Sequence, residues 1–363
     1  MFLRPGFTLN DISGAALPLK HLLDSQADPY IAVRTLYSLN RERLVLDFVP
    51  QANGTNDEHD ETVEAMFFQP QTPKFEDKAA TRTVKIPQTG KKLSYNCWMQ
   101  KQPAPVVYYL PGLGSYRLDR TVTAYADMMY RAGYSVVVFS NPFQKEFMER
   151  ASTMSVPGYG PADCDDVVNV LKLIRGDLQK WKGSQITGNY LTGVSHGGYF
   201  TLMIAAREAA GKLDGLTFDR YVAVEPPVQL SEALYHLDDL FDTPVEWPAD
   251  QRRQRMLDSL YKALYFAQKS QDAFAANENG FDTAAAQNVL DAADEQIPLT
   301  LDESKFLIGL MFRYTLAGAI MDSQRRDNLG VLKTNPNKFV RQPAYQEIRE
   351  IGYTDYMNRF VVP

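Results

Sequence analysis

The stretch Leu191–Phe200, LTGVSHGGYF, places a serine between two glycines at a change of local pattern. The residues before the serine, GNYLT, are typical of a strand, and those after it, YFTLMIAAREAA, favour a helix. Serine is a poor residue for the interior of either element. We therefore interpret Ser195 as a residue of the turn between a strand and a helix, placed there for reactivity rather than packing.

The pentapeptide Gly193–Gly197, GVSHG, matches the pattern G-x-S-x-G in the strand-to-helix context that this motif requires. In such a turn the serine hydroxyl projects from the sheet, and the flanking glycines let the strand and the helix approach closely. We predict that Ser195 is a nucleophile and that the backbone N–H of His196 faces the oxyanion formed on attack. The alternative is a purely structural turn. The side chain of His196 points elsewhere on a tight turn, so we expect it to serve packing or orientation and not as a base.

A second glycine-rich loop, Leu110–Gly114 with the sequence LPGLG, follows the apolar run APVVYY. A second backbone donor to the oxyanion is expected in a loop after an earlier strand. We predict that the N–H of Leu113 is this donor. The competing interpretation, a dinucleotide-binding turn, lacks its third glycine because Arg117 stands at that offset.

Strand and helix patterns alternate from residue 81 to residue 228. Two strands surround a Gln-Thr-Gly turn, and further strands are predicted at APVVYYL, YSVVVF, GNYLT and RYVAV, with helices between them. This order predicts an α/β fold with a doubly wound, mostly parallel sheet. Residues 229–334 contain helical patterns and no obvious strand, which predicts a helical cap inserted over the sheet. Residues 1–80 are interpreted as an N-terminal extension and linker, and 335–363 as a C-terminal helical segment that leaves the core incomplete.

Composition limits the class of protein. The chain has 363 residues, of which 45% are hydrophobic and 12% aromatic, so it can bury a sizeable core. Its formal net charge of −6 argues against nucleic acid as a partner, because no basic stripe is present to neutralise phosphates. No uninterrupted apolar run approaches the length of a membrane span, and the N-terminus lacks a hydrophobic signal core. We expect a soluble protein, and the compartment stays open between the cytoplasm and export with a signal removed.

Cysteine and histidine patterns do not indicate a metal site. Cys97 and Cys164 are too few for a disulfide framework, and two buried free thiols are preferred over one bridge. The four histidines are scattered without the spacing of a zinc motif. We expect no metal and no cofactor.

With both glycine motifs placed, residues 81–228 resemble the α/β-hydrolase superfamily, in particular its serine esterases and lipases with a helical cap. The resemblance rests on LPGLGSY, VVVFSNPF, LTGVSHGG and VAVEPPV, in that order. It implies that Ser195 is the nucleophile, that Gly112–Gly114 completes the oxyanion hole, and that the reaction is cleavage of an ester or related acyl bond. The resemblance does not define the substrate, which we expect to be a small acyl compound. A cap after the sixth strand is common in that family, and residues 229–334 stand where it would be inserted.

The chain departs from that family in its triad. The family's nucleophile is followed by an acid and then a histidine, whereas the only histidines from Ser195 onwards are His196 and His236. His236 lies at helical spacing with Leu240, so we expect it to be an ordinary cap residue. Glu225, at the end of the sixth predicted strand, is a candidate for the acid. We prefer the alternative in which Glu225 is a cap-facing residue before two prolines.

Two explanations of the missing histidine stay open. In the first, the chain is a fragment, and the natural protein continues past Pro363 with two more strands that carry the histidine. In the second, the protein is a catalytically inactive scaffold that binds a ligand or partner through its cap. The leading hypothesis is a serine hydrolase that forms an acyl-enzyme on Ser195.

Overall fold

The fold is taken from a computed structural model of the chain. The structure describes residues 62, 63, 66, 68, 70–260, 262, 263, 299–327, 329, 332–334 and 342–361. Most of the predicted N-terminal extension lies outside the described residues. Residues 264–298, within the helical patterns predicted for 229–334, lie outside them as well.

The described residues include six strands and nine α-helices. The strands are β1 (Ala80–Lys85), β2 (Lys92–Trp98), β3 (Ala104–Leu110), β4 (Ser135–Val138), β5 (Ile186–Val194) and β6 (Arg220–Val224). The helices are α1 (Arg120–Arg131), α2 (Lys145–Arg150), α3 (Gly160–Lys182), α4 (His196–Ala209), α5 (Leu230–Asp242), α6 (252–260), α7 (Leu301–Asp327), α8 (Gln342–Arg349) and α9 (Tyr353–Tyr356). Every strand predicted from the sequence is present.

The six strands form one mixed sheet in the order β1-β2-β4-β3-β5-β6. The four strands β4, β3, β5 and β6 are parallel, whereas β2 is antiparallel to both of its neighbours. The β1–β2 connection is a tight turn that ends at Gly90, with φ 69°, and so short a connection can join only antiparallel strands. The predicted α/β class is therefore confirmed, and the parallel arrangement holds for the four strands that follow the hairpin.

Helices cover both faces of the sheet, which explains why the central strands are apolar without alternation. In β3, Val106 and Tyr108 pack into a cluster with α3, and Val107 and Tyr109 pack on the opposite face. The predicted core stripe of α3 is buried in the first cluster, namely Val167, Leu171, Ile174 and Leu178. Both cysteines are buried free thiols, as predicted.

The described part of residues 229–334 is helical. Helix α7 crosses α5 at Gly309, where a Cβ atom would overlap the backbone at Phe241. Asp238 of α5 pairs with Arg313 of α7 at 3.0 Å and accepts the N–H groups of Tyr353 and Thr354, at the start of α9. One carboxylate thus ties the C-terminal segment to the helices after β6.

Helix α7 also bears on membrane association. Among the described residues it is the one helix that is long and apolar enough to cross a bilayer, judged by length and composition. The sequence analysis found no apolar run of that length, so its argument against a membrane span does not apply to this helix. More than half of its most apolar window is buried inside the protein. The core helix of a soluble protein passes the same test.

Candidate active site

Ser195 occupies the junction between β5 and α4 in a strained backbone conformation. Its φ is 52° and its ψ is −120°, a region that non-glycine residues rarely adopt. Its N–H donates to the carbonyl oxygen of Val224 at 2.8 Å, and its own carbonyl accepts the N–H of Tyr199 at 3.0 Å. Its side chain makes no capping hydrogen bond to the helix. The backbone of the turn is therefore fixed, while the hydroxyl is not used to hold it.

The two motif glycines stand where no side chain fits. A Cβ atom on Gly193 would overlap the backbone of Gly197, and a Cβ on Gly197 would overlap the carbonyl oxygen of Leu110. A Cβ on Gly198 would lie 3.1 Å from the carbonyl oxygen of Val224. The close approach of strand and helix that the motif predicts is thus present at this turn.

The loop after β3 lies directly beside the serine. A Cβ atom on Gly112 would be 3.7 Å from Cβ of Ser195. Among the described residues nothing accepts a hydrogen bond from the N–H of Leu113. The N–H of His196, the first residue of α4, has no acceptor within the helix. Both N–H groups lie near Ser195 and have no acceptor among the described residues, and their role as oxyanion donors stays a prediction.

Asn141, just after β4, organises this loop and is a residue that the sequence analysis missed. Its side-chain Oδ1 accepts the N–H of Gly114 at 3.2 Å and that of Phe143 at 3.0 Å, and its Nδ2 donates to the carbonyl of Pro111 at 3.0 Å. The same Nδ2 is 3.2 Å from Nδ1 of His196. The only sequence signal was an Asn-Pro pair after a buried strand, which by itself indicates no more than a turn.

An ion pair between a buried arginine and a partly buried glutamate fixes the far end of the same loop. Arg117 donates from Nε to Glu146 at 3.1 Å and from Nη1 to the side-chain oxygen of Asn96. The hydroxyl of Ser140 donates to the same carboxylate of Glu146 at 2.8 Å and accepts the N–H of Arg117. Arg117, the residue that stands in place of the third glycine of a dinucleotide-binding turn, therefore anchors the loop to β2, to the segment after β4 and to α2.

The side chain of His196 packs inside the protein, as the sequence analysis expected. Its ring lies against those of Phe143, Tyr199 and Phe200, with centroid distances of 5.4, 6.0 and 4.6 Å. Burial lowers the pKa of the imidazole from 6.5 to about 3, because the charged form loses its hydration. The ring is neutral at physiological pH and belongs to the support of the turn.

The other candidates for a triad are spread over different elements. His236 lies exposed on α5, and Glu225 lies exposed directly after β6 with φ 46°. His21 and His59 are outside the described residues. The imidazole of His196 is within hydrogen-bond distance of the side chain of Asn141.

Helix α7 borders the site from the other side. The side chain of Thr315 fills the space beside Gly114, where a Cβ atom would overlap it. Leu113 packs against a cluster that includes Leu316. On the same stretch of helix, Met311 is 38% exposed and Tyr314 is 76% exposed. Apolar side chains are therefore open to solvent close to the loop beside Ser195.

Metal chemistry is not indicated at this site. The residues that the structure describes include no group of three or more histidine, cysteine, aspartate or glutamate side chains that could hold an ion. The expectation of an activity without metal or cofactor stays a prediction.

Comparisons with known proteins give weak structural similarity only. No family model matches the chain, and no curated protein matches it. Brefeldin A esterase, described as a bacterial homologue of human hormone-sensitive lipase, is 16% identical over 78% of this chain and 81% of its own, with a TM-score of 0.31. A ferulic acid esterase from Anaeromyces mucronatus is 21% identical over 35% of this chain, with a TM-score of 0.27.

A third solved structure, an acylaminoacyl peptidase from Pyrococcus horikoshii, is 18% identical over 34% of this chain, with a TM-score of 0.26. The match spans about half of the ferulic acid esterase, at 52%, and 20% of the peptidase. Similarities of this size assign neither a function nor a substrate to the chain.

Proposed function

We propose that this protein is a serine hydrolase that cleaves a carboxylic ester or related acyl bond through an acyl-enzyme on Ser195. The observation that carries the proposal is the strained turn at Ser195, because a non-glycine residue keeps a left-handed φ there while its hydroxyl makes no helix cap. Backbone strain of this kind concentrates at functional sites, where the surrounding structure holds it in place. The adjacent loop brings the N–H of Leu113, which has no acceptor among the described residues, to the same place.

The chemistry follows from this arrangement. The oxygen of Ser195 attacks the carbonyl carbon of the substrate, and negative charge develops on the carbonyl oxygen. The N–H groups of Leu113 and His196 stabilise that charge, and the helix dipole of α4 adds to the effect. Collapse of the intermediate expels the leaving group and leaves the acyl group on Ser195, and water then releases it.

The acyl group is proposed to be apolar and of modest size. Met311 and Tyr314 are partly or largely exposed on α7, next to the contact between Thr315 and Gly114. Binding sites for small molecules are lined mainly by apolar and aromatic side chains. In this proposal the helices of residues 229–334 form a cap whose α7 provides one wall of the acyl site.

A labelling experiment tests the nucleophile. A fluorophosphonate probe is expected to label the protein stoichiometrically, and Ser195→Ala is expected to abolish both labelling and the hydrolysis of p-nitrophenyl esters. The matched control is Ser184→Ala, in the short connection between α3 and β5, which should keep both. Absence of labelling in the wild-type protein would refute the proposal.

A substrate series tests the acyl group. We expect hydrolysis of p-nitrophenyl esters from acetate to palmitate to peak at short or medium chains, unaffected by a chelator. A clear preference for charged or peptide substrates would contradict the apolar site.

One observation favours a second candidate function. The imidazole of His196 lies within hydrogen-bond distance of Asn141 and is buried away from the hydroxyl of Ser195, whereas an imidazole base normally activates a serine. The alternative is therefore a catalytically inactive scaffold that binds an apolar ligand or a partner through its cap. A folded wild-type protein that binds acyl compounds at the α7 wall, without labelling or turnover, would support it.

A further inference from the structure

The buried side chain of Asn141 has four polar neighbours. Its Oδ1 accepts the N–H groups of Gly114 and Phe143, at 3.2 and 3.0 Å. Its Nδ2 donates to the carbonyl oxygen of Pro111 at 3.0 Å and lies 3.2 Å from Nδ1 of His196. An asparagine amide has two N–H donors and two acceptor lone pairs, so four neighbours match its full capacity.

This match assigns the roles of the two groups where Asn141 meets His196. Nδ1 of the ring lies 3.2 Å from Nδ2 and 3.4 Å from Oδ1 of the amide. Both lone pairs of Oδ1 are taken by backbone N–H groups, whereas Nδ2 has one proton left after its bond to Pro111. Nδ1 is therefore the acceptor. Burial lowers the pKa of the ring and keeps it neutral, and a neutral imidazole that accepts at Nδ1 carries its proton on Nε2.

The acceptor on the ring decides which way the Asn141 amide faces. A half turn of the amide would exchange Oδ1 and Nδ2, so that Nδ2 would face the two N–H groups and Oδ1 would face the carbonyl oxygen of Pro111. The same half turn would set Oδ1 against the lone pair of Nδ1 of His196. The ring thus favours the one orientation in which the amide binds the loop after β3. Without the ring nitrogen, a buried N–H of Asn141 is left without its partner.

The ring of His196 is itself fixed to the turn. It follows Ser195 directly in the chain, is buried, and packs between the rings of Phe143 and Phe200, at centroid distances of 5.4 and 4.6 Å. Asn141 is buried as well, so water does not compete for the contact between the two side chains. This contact joins the turn that carries the serine to the loop after β3.

We propose that His196 is a positioning residue, an inference that rests on the proposed serine hydrolase function: its Nδ1 orients the Asn141 amide, which holds the loop whose Leu113 N–H is predicted to bind the oxyanion. The sequence interpretation expected packing or orientation from this side chain, and the contact with Asn141 favours orientation. The backbone N–H of His196 and its ring then serve the same step, the first as a donor and the second through the loop.

Two substitutions separate the acceptor from the ring, and both keep the backbone N–H of His196. His196→Phe keeps a ring without an acceptor, whereas His196→Asn places an oxygen acceptor near the position of Nδ1 and gives up the ring. We expect His196→Phe to lower kcat for p-nitrophenyl acetate at least about tenfold with KM nearly unchanged, because the oxyanion forms only in the transition state. His196→Asn should keep kcat within about threefold of the wild type, although loss of the buried ring gives it the lower unfolding midpoint of the two. A purely structural role predicts the opposite order of activities.

A double variant tests whether the ring acts through the amide. In the background of Asn141→Ala, His196→Phe should cost no further kcat, because two residues that act as one unit are not additive. Ile204→Val is the control for destabilisation of the same helix. Ile204 is buried in α4 and belongs to the cluster that contains Phe200. This variant should lower the unfolding midpoint, leave the His196 ring unchanged and keep kcat.

Nitrogen-15 NMR of the wild-type protein checks the tautomer without an activity assay. The signals that disappear in His196→Phe should show Nε2 protonated and Nδ1 unprotonated, and a proton on Nδ1 would overturn the inference. If His196→Phe keeps kcat within about threefold, or His196→Asn loses as much as His196→Phe, while the wild type labels on Ser195, His196 does not position the loop and the hydrolase proposal survives. If the wild type neither labels nor hydrolyses esters, the hydrolase proposal fails and this inference fails with it.

Discussion

The turn at Ser195 and the loop after β3 touch each other, yet they are fixed in different ways. The turn is fixed by backbone crowding, since Gly193 and Gly197 leave no room for a side chain. The loop is fixed by side chains from other strands, chiefly Asn141 and Arg117. A substitution in the turn is therefore expected to destabilise the fold. A substitution among the loop's side-chain partners is expected first to displace the loop N–H groups predicted to bind the oxyanion.

The largest effect is expected from Gly197→Ala. The new Cβ atom would overlap the carbonyl oxygen of Leu110 in β3, so β3, β5 and α4 would have to move apart. We expect the free energy of unfolding to fall by more than about 4 kcal/mol, which is in the exceptional range for a single substitution. Urea denaturation followed by circular dichroism would measure it.

The matched control for that variant is Gly176→Ala in α3. A Cβ atom at this exposed helical position meets nothing within 4 Å. Alanine should therefore raise the free energy of unfolding by about 0.5–1 kcal/mol. Equal losses in the two variants would show that crowding does not fix the turn.

The substitution in the loop's support that corresponds to Gly197→Ala in the turn is Asn141→Ala. It leaves the N–H groups of Gly114 and Phe143 and the carbonyl of Pro111 without their partner in a buried place. We expect turnover to fall about 10²- to 10³-fold, the cost of losing one oxyanion donor, with a loss of about 2–3 kcal/mol in stability. Steady-state ester hydrolysis and urea denaturation would give the two values.

Asn169→Ala in α3 is the control, since the described residues give that side chain no hydrogen bond. It should change neither value appreciably. Full activity of Asn141→Ala would mean that the loop holds its shape without the amide, and the contrast between turn and loop would be wrong.

The same contrast explains what the sequence could predict. The strands, the α3 stripe and the turn at Ser195 follow from local patterns, namely apolar runs, helical spacing and glycines at fixed offsets. Asn141 and Glu146 could not be identified from the sequence, because the contacts that tie them to the loop reach far along the chain. Apart from Phe143, the partners of the Asn141 side chain are 27 to 55 positions away, and the ion-pair partner of Glu146 is 29 positions away. The left-handed φ of Glu225 has no local signal either, since glutamate before proline predicts an extended residue.

A smaller effect is expected on the pH dependence of the free energy of unfolding. It concerns the turn and not the loop, because the turn buries the imidazole of His196. The folded-state pKa of about 3 is below the unfolded value of 6.5, so the unfolded chain binds the proton more readily between these values. The contribution of the neutral His196 ring to the free energy of unfolding is therefore fully present above pH 6.5 and is lost as the pH falls towards 3. Between pH 6.5 and 4.5 the expected loss is about 2–3 kcal/mol.

His196→Phe should remove that loss, because phenylalanine suits the aromatic surroundings and does not titrate. The measurement is the difference in free energy of unfolding between the two proteins at several pH values. Asp163, whose pKa burial raises to about 7, acts in the opposite direction but is present in both proteins and cancels in the difference. A difference that does not change with pH would show that the ring is not buried as neutral imidazole.

The smallest effect is expected on the α7 side of the loop, at Gly318. This position lies three residues after Thr315, on the same side of the helix, and a Cβ atom there meets nothing within 4 Å. Gly318→Leu should therefore fill open space beside the loop without a clash, and shift the preferred p-nitrophenyl ester to a shorter chain. A change of about tenfold in the ratio of acetate to octanoate hydrolysis is expected, since each excluded methylene carries about 0.8 kcal/mol of binding. Gly176→Leu, equally open but on α3, should leave the ratio unchanged, and an unchanged ratio in Gly318→Leu would place the acyl group away from α7.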